Sequence, residues 1–161
     1  MAFTAHLLVD GVKGESEHEG FAEHIDVVSY SMGVMNSPSW SGGGWSSGQA
    51  TASDFSFMLN EGASSTKLEE LTANGTTVKK VTLKLSKSVG TDKLELYKTV
   101  EFIDCKISSF QESAGGSEPM NSVTIAYGTK KGEYKAQKTE GGDLQVAATY
   151  GWDFKKNAKA A

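Results

Sequence analysis

The alternation of apolar and polar residues predicts β-strands over most of the chain. The longest alternating run is 93–112, KLELYKTVEFIDCKISSFQE. Its apolar residues fall first on even positions, such as Val100 and Phe102, and then on odd ones, such as Cys105 and Ile107. This change of phase predicts a bulge or a sharp bend near Phe102. Because a straight run at about 3.3 Å per residue would outreach a small domain, we expect the strand to pass there from one sheet to another.

The segment 24–34 predicts a strand with two unlike faces. The core-facing positions would be Val28, Tyr30, Met32 and Val34. The opposite face becomes small and polar, with Ser29 and Ser31 on it.

One short helix is predicted after residue 60. Thr66 and Glu69 are spaced as a capping box, and Leu68 and Leu71 lie three positions apart. Gly75, after Asn74, supplies a stop signal. The helix should therefore have about three turns at most.

The remaining alternating segments complete an all-β pattern. They are 5–10, 51–60, 78–87, 122–138 and 144–156. A turn at 90–92 joins two of the strands into a hairpin. The predicted fold is a small antiparallel β-barrel of two packed sheets with one short flanking α-helix, formed by a single domain over residues 1–161.

The segment 36–49, NSPSWSGGGWSSGQ, has the composition of a linker but holds Trp40 and Trp45. A flexible linker would leave both large apolar rings in water. One interpretation is a long projecting loop that becomes ordered against a partner. The other is that both tryptophans fold back onto their own barrel.

Composition limits the classes of partner. The 18 glycines, with only two prolines, suit the turns and bulges of an all-β chain. The sequence has no arginine, so nucleic acid, which is recognised by arginine's planar fork, is disfavoured as a partner. No run approaches the ~18 apolar residues of a membrane span, which argues against membrane insertion. The N-terminus has no signal-peptide pattern, so we expect synthesis in the cytoplasm and export, if any, by another route.

Charge is unevenly distributed. Residues 1–30 hold six acidic residues and one lysine, a balance of −5, whereas residues 127–161 hold seven lysines and four acidic residues, a balance of +3. A solvated surface is the usual explanation. Two oppositely charged faces that meet in neighbouring copies are the alternative.

Only one segment looks catalytic. Residues 44–48, GWSSG, match the G-x-S-x-G nucleophile elbow, which requires a strand that turns into a helix and a later histidine. All three histidines, His6, His18 and His24, lie upstream. We therefore predict no catalytic residue and no cofactor, and we read Cys105 as a small buried apolar residue.

An acidic loop carries the only other candidate ligands. His18, Glu19, Glu23 and His24 offer nitrogen and oxygen donors, but without a recognised metal-ligand spacing. We predict a solvated loop and no metal site.

Five motifs, in this order and spacing, resemble a known family. They are Val12-Lys13-Gly14-Glu15-Ser16, Ile25-Asp26-Val27, the glycines at 42–44, Asp54-Phe55-Ser56-Phe57, and Tyr150-Gly151-Trp152-Asp153 with Asn157. Together they are similar to Hcp, the tube protein of type VI secretion systems. The resemblance implies a homohexameric ring, rings stacked into a hollow tube, and, as partners, a spike protein, a contractile sheath and effector proteins carried in the lumen.

The resemblance and the residue pattern together give two site hypotheses. The ring-stacking loop would consist of Trp40, Gly42, Gly43, Gly44 and Trp45. Ser29 and Ser31 would face the lumen. The protein would be cytoplasmic before the system fires and secreted afterwards without a signal peptide. The alternative function is a monomeric β-barrel that binds a small ligand in its own cavity, and an enzyme ranks third.

Overall fold

The computed structural model describes residues 3–88, 94–137 and 144–160. The strands are β1 (Thr4–Val9), β2 (Ile25–Val27), β3 (Ser29–Met35), β4 (Ser39–Ser41), β5 (Gly44–Ser46), β6 (Thr51–Asn60), β7 (Thr77–Ser88), β8 (Leu94–Ser113), β9 (Met120–Gln137), β10 (Leu144–Asp153) and β11 (Ala158–Lys159). One helix, α1 (Ala63–Asn74), lies between β6 and β7. The predicted class, mainly β with one short helix, is confirmed. The predicted turn at 90–92 lies outside the described residues.

Nine strands form one antiparallel sheet, and β4 and β5 form a second, two-stranded one. The large sheet runs in the order β11-β10-β9-β8-β7-β1-β2, and β6 pairs with both β9 and β3. β2 ends one side of this strand order, and β3 ends the branch through β6. The two strands are consecutive in the chain and are separated by Val28, whose N–H donates to the Met58 carbonyl at 2.8 Å. Within the described residues no ladder joins β2 to β3, so the sheet is not the closed barrel that we predicted.

The core lies between α1 and strands β1, β2, β6, β7, β8 and β9, and it is filled by aromatic and branched side chains. Phe55 stacks on Phe102 at 4.7 Å between ring centroids and on Phe57 at 5.5 Å. Leu68 and Leu71 of α1 are buried with them, so the helix covers the core as the apolar spacing predicted.

The long strand β8 changes its buried face as predicted. Val100 and Phe102 are buried before the change, and Cys105 and Ile107 after it. Between them, Asp104 has a φ of 57°, in the left-handed region that reverses the alternation. Both halves stay in the nine-stranded sheet, so the predicted passage from one sheet to another is wrong.

The core face predicted for β3 is partly wrong. Tyr30 and Met32 pack against the core, but Val28 and Val34 are 52% and 50% exposed. For Val28 the reason is a change of partner, because the chain pairs with β1 before Val28 and with β6 after it. Val34 lies beyond a register shift in the β3–β6 ladder, between Ser31 and Gly33.

The helix begins at Ala63, three residues before the predicted capping box. Ser65 N–H donates to the Gly62 carbonyl, and Gly62 N–H donates to Ser65 Oγ at 3.2 Å. Glu15, distant in sequence, accepts the Ala63 N–H at 3.2 Å. Gly75 ends the helix with a φ of 67°, as predicted.

In the described part of the chain, no helix has both the length and the apolar character that crossing a membrane requires.

Candidate functional site

The tryptophan-containing segment forms a hairpin of its own, made by β4 and β5. Trp40 and Trp45 are cross-strand partners, and their rings meet edge to face at 5.2 Å. Gly42 and Gly43 have φ values of 62° and 85°, the pair of positive angles that a tight two-residue hairpin turn requires. The two rings are therefore held in place by the hairpin itself. We refer to residues 39–46 as the tryptophan hairpin.

The base of the tryptophan hairpin is fixed by one asparagine. Asn36 Nδ2 donates to the Gly48 carbonyl at 2.9 Å, and Gly48 N–H donates to Asn36 Oδ1 at 3.0 Å. These paired hydrogen bonds tie the two ends of the segment together, as a backbone ladder would. The hairpin is thus a projection whose base is held by the protein's own hydrogen bonds.

Both tryptophans lie in solvent. Trp40 is 59% exposed and Trp45 is 72% exposed. The interpretation in which they fold back onto their own barrel is therefore wrong. The two rings form an exposed apolar patch.

The serine of the esterase-like motif lies in the same hairpin. Ser46 Oγ lies 2.6 Å from Ser39 Oγ and donates to the Ser39 carbonyl at 3.2 Å. Within the described residues no histidine contacts it.

Burial raises the pKa of Cys105 to about 12, which leaves its thiol protonated and unreactive.

Ser29 and Ser31 lie on an exposed face of β3, as the alternation predicted. Ser31 pairs with Ser56 of β6, whose hydroxyl lies 3.3 Å from Thr124 Oγ1 of β9. The result is a row of hydroxyl groups across three strands, on the side of the sheet opposite the core. Ser56 and Thr124 could not be predicted from the sequence, because only the strand order brings them beside Ser31.

The acidic loop before β2 is more ordered than predicted. His24 is buried, with Nδ1 donating to the Ala22 carbonyl at 2.9 Å and Nε2 accepting from Lys84 Nζ at 3.1 Å. His18 is half exposed, and its ring contacts the fully buried His6. The prediction of a wholly solvated loop is therefore wrong for His24.

Gly14 explains how the loop closes. Its N–H donates to the Glu23 carbonyl at 2.8 Å, and Ser16 N–H donates to the His24 carbonyl at 3.0 Å. A Cβ at Gly14 would overlap the carbonyl group of His24. Ser16 Oγ also accepts the His18 N–H at 3.3 Å. These hydrogen bonds hold the two sides of the loop together and place His18 beside β1.

His6 makes stability depend on pH. Burial lowers its pKa from 6.5 to about 4, the Asp26 carboxylate opposes this shift, and His18, His24 and Lys84 add to it. As pH falls through this window the unfolded chain binds a proton that the folded chain refuses, so stability is full above the unfolded pKa and decreases below it. The loss should reach at most about 3 kcal/mol.

Denaturant unfolding at about pH 7 and about pH 4.5, with a chelator present, measures this loss. The variant His6→Gln, which has no imidazole to titrate, should show a flatter dependence than the natural chain. Parallel pH profiles for the two proteins would contradict the assignment to His6.

Comparisons with known proteins agree on one group of relatives. The family model described as type VI secretion system effector, Hcp, matches residues 6–134. The protein hcp1 of Pseudomonas aeruginosa is 28% identical over 163 residues, which covers 99% of this chain and 100% of that protein.

Two solved structures show a similar fold. One, described as a type six secretion system protein, has a TM-score of 0.88 at 23% identity and covers 99% of this chain and 100% of its own. The other, Hcp1 from Salmonella typhimurium, has a TM-score of 0.79 at 22% identity with the same coverage.

Proposed function

The chain belongs to the Hcp family of type VI secretion systems, and from this premise we propose that it is a structural tube subunit. Six copies form a ring, and rings stack into a hollow tube. Its partners are other copies of itself, the spike protein, the contractile sheath and the effectors carried in the lumen. The subunit is cytoplasmic until the system fires and is then secreted. It catalyses no reaction.

The observation that carries the proposal is the exposed tryptophan hairpin. Trp40 and Trp45 are held rigidly, away from their own core, at the end of a braced projection. Large aromatic residues in such positions are typical anchors of protein interfaces. Because the two indole rings are already ordered, contact with an adjacent hexamer costs little conformational entropy. We assign the hairpin to contact between rings.

The hydroxyl row supports a channel wall. Ser29, Ser31, Ser56 and Thr124 give β3, β6 and β9 a row of small hydroxyl groups on the outer face, beside Met58 and the carboxylate of Asp54. Hydroxyl groups are compatible with water and with varied cargo, since they present no large apolar patch. We propose that this face lines the lumen.

The interior of the subunit argues against the alternative function. Phe55, Phe57 and Phe102 fill the interior of the subunit, where a barrel that binds a small ligand would keep a cavity. A pocket of about 590 Å³ beside Asp10, Lys13 and Lys79 lies on the surface, outside this core. A channel must therefore be built between subunits.

The experiment is native mass spectrometry combined with negative-stain electron microscopy. The natural chain should give hexamers and, at high concentration, stacked rings. The variant Trp45→Ala should keep the hexamer but lose most of the stacking of hexamers, because it removes the more exposed of the two indole side chains.

The matched variant is Trp45→Phe, which keeps an aromatic ring opposite Trp40 and should retain stacking. A natural chain that stays monomeric at all concentrations would refute the proposed function. Stacks of unchanged length in Trp45→Ala would refute the role of the hairpin alone.

A further inference from the structure

Three potential metal ligands from distant positions meet at one end of the sheet. They are His6 of β1, His18 of the acidic loop and Asp26 of β2, and their ligand atoms all lie within 4.8 Å of one another. His6 Nε2 is 2.7 Å from His18 Nδ1 and 3.4 Å from Asp26 Oδ1. His18 Nδ1 is 3.6 Å from the same oxygen. No cation is needed for the role in the tube, so the cluster is unused by the proposed function.

The backbone holds this cluster in place. His6 and Asp26 are direct partners in the antiparallel ladder between β1 and β2, so their side chains project from the same face. The His6 ring is buried and stacks on Phe21 with 4.0 Å between centroids and 6° between ring planes. The loop that is closed by the hydrogen bonds of Gly14 and Ser16 positions His18. Two ligands are thus fixed by the sheet and the third by the loop.

The distances fit a tetrahedral cation. Bonds of about 2.0–2.1 Å place neighbouring ligand atoms about 3.3 Å apart. The two separations that involve Asp26 Oδ1, 3.4 and 3.6 Å, already match. The pair His6 Nε2 and His18 Nδ1, at 2.7 Å, must open by about 0.6 Å to accept a cation. The half-exposed side chain of His18 can make this movement while its backbone stays held by the loop.

The charge of the surrounding segment favours a cation as the ligand of this cluster. The segment 1–30 carries a balance of −5, six acidic residues against one lysine, so its field attracts cations.

We propose that His6, His18 and Asp26 form a binding site for a divalent transition cation of the zinc type. Two imidazole nitrogens and one carboxylate oxygen are a donor set that suits Zn²⁺ and leaves a fourth position open. A surface pocket of about 500 Å³, lined by His18, Asp26 and Val27 among others, leaves room for water or an external ligand at that position.

The test uses full-length protein without a histidine tag, freed of metal by a chelator and titrated with Zn²⁺ by calorimetry. The natural chain should bind one cation per chain. His18→Ala and Asp26→Asn should each lower the affinity at least about tenfold. The matched variant Glu19→Gln, which removes one charge from the same loop, should bind like the natural chain. Both tested positions are exposed, so the variants should fold.

Nitrogen NMR of the imidazole rings identifies the ligands directly. Zn²⁺ should shift the ring resonances of His6 and His18 and leave those of His24 in place, since both His24 nitrogens already have partners. Absence of binding, equal affinity in His18→Ala, or shifts at His24 alone would each overturn the proposal. None of these outcomes bears on the hexamer, so the proposed function is tested separately.

Discussion

Replacing Phe102 by alanine is expected to lower the free energy of unfolding by about 3–5 kcal/mol. Phe102 is fully buried in β8, and its ring lies 4.7 Å from that of Phe55 and 4.7 Å from that of Tyr127. The strands on both sides, β7 and β9, pair with β8 at this position, so the backbone has little freedom to close the cavity. Both the lost burial and the remaining cavity therefore lower stability.

Urea unfolding at fixed protein concentration measures this loss, because assembly couples apparent stability to concentration. The control is Phe3→Ala, which removes an equal ring that is 51% exposed and should cost less than about 1 kcal/mol. Similar losses for the two variants would show that the core does not depend on Phe102.

Most of the fold could be predicted from the alternation of apolar and polar residues, because this alternation reflects which face of each strand is buried. The face change in β8 appeared in the sequence as a shift of apolar residues from even to odd positions. Its cause, the positive φ of Asp104, did not, since that angle depends on packing against neighbouring strands. The exposure of Val28 was missed for a similar reason, because its position between two partner strands is a property of topology.

Contacts between distant residues account for the other errors. The start of α1 depends on Glu15, which lies in a loop far upstream, and on a glycine whose N–H is accepted by Ser65. The histidine cluster has no regular spacing, because one ligand arrives through the ladder opposite Asp26 and another through a loop. The tryptophan hairpin was half predicted. Composition left a projecting loop as one of two interpretations, and the internal pair of tryptophan rings needed the cross-strand register.

Replacing Gly14 by alanine is expected to lower the free energy of unfolding by about 2–4 kcal/mol and to disconnect the histidine cluster. An added methyl group would overlap the His24 carbonyl, which is backbone and cannot swing aside. The hydrogen bonds from Gly14 and Ser16 across the loop would then lengthen or break. Because the same loop positions His18, zinc affinity should fall together with stability.

Urea unfolding and zinc titration of the same samples check both effects, while circular dichroism should still report a β-sheet. The matched control is Gly115→Ala, where an added Cβ meets nothing within 4 Å and where stability and zinc affinity should stay near those of the natural chain. A stable Gly14→Ala protein would mean that the loop has room to move. A destabilised one that binds zinc normally would mean that His18 is held by something other than this closure.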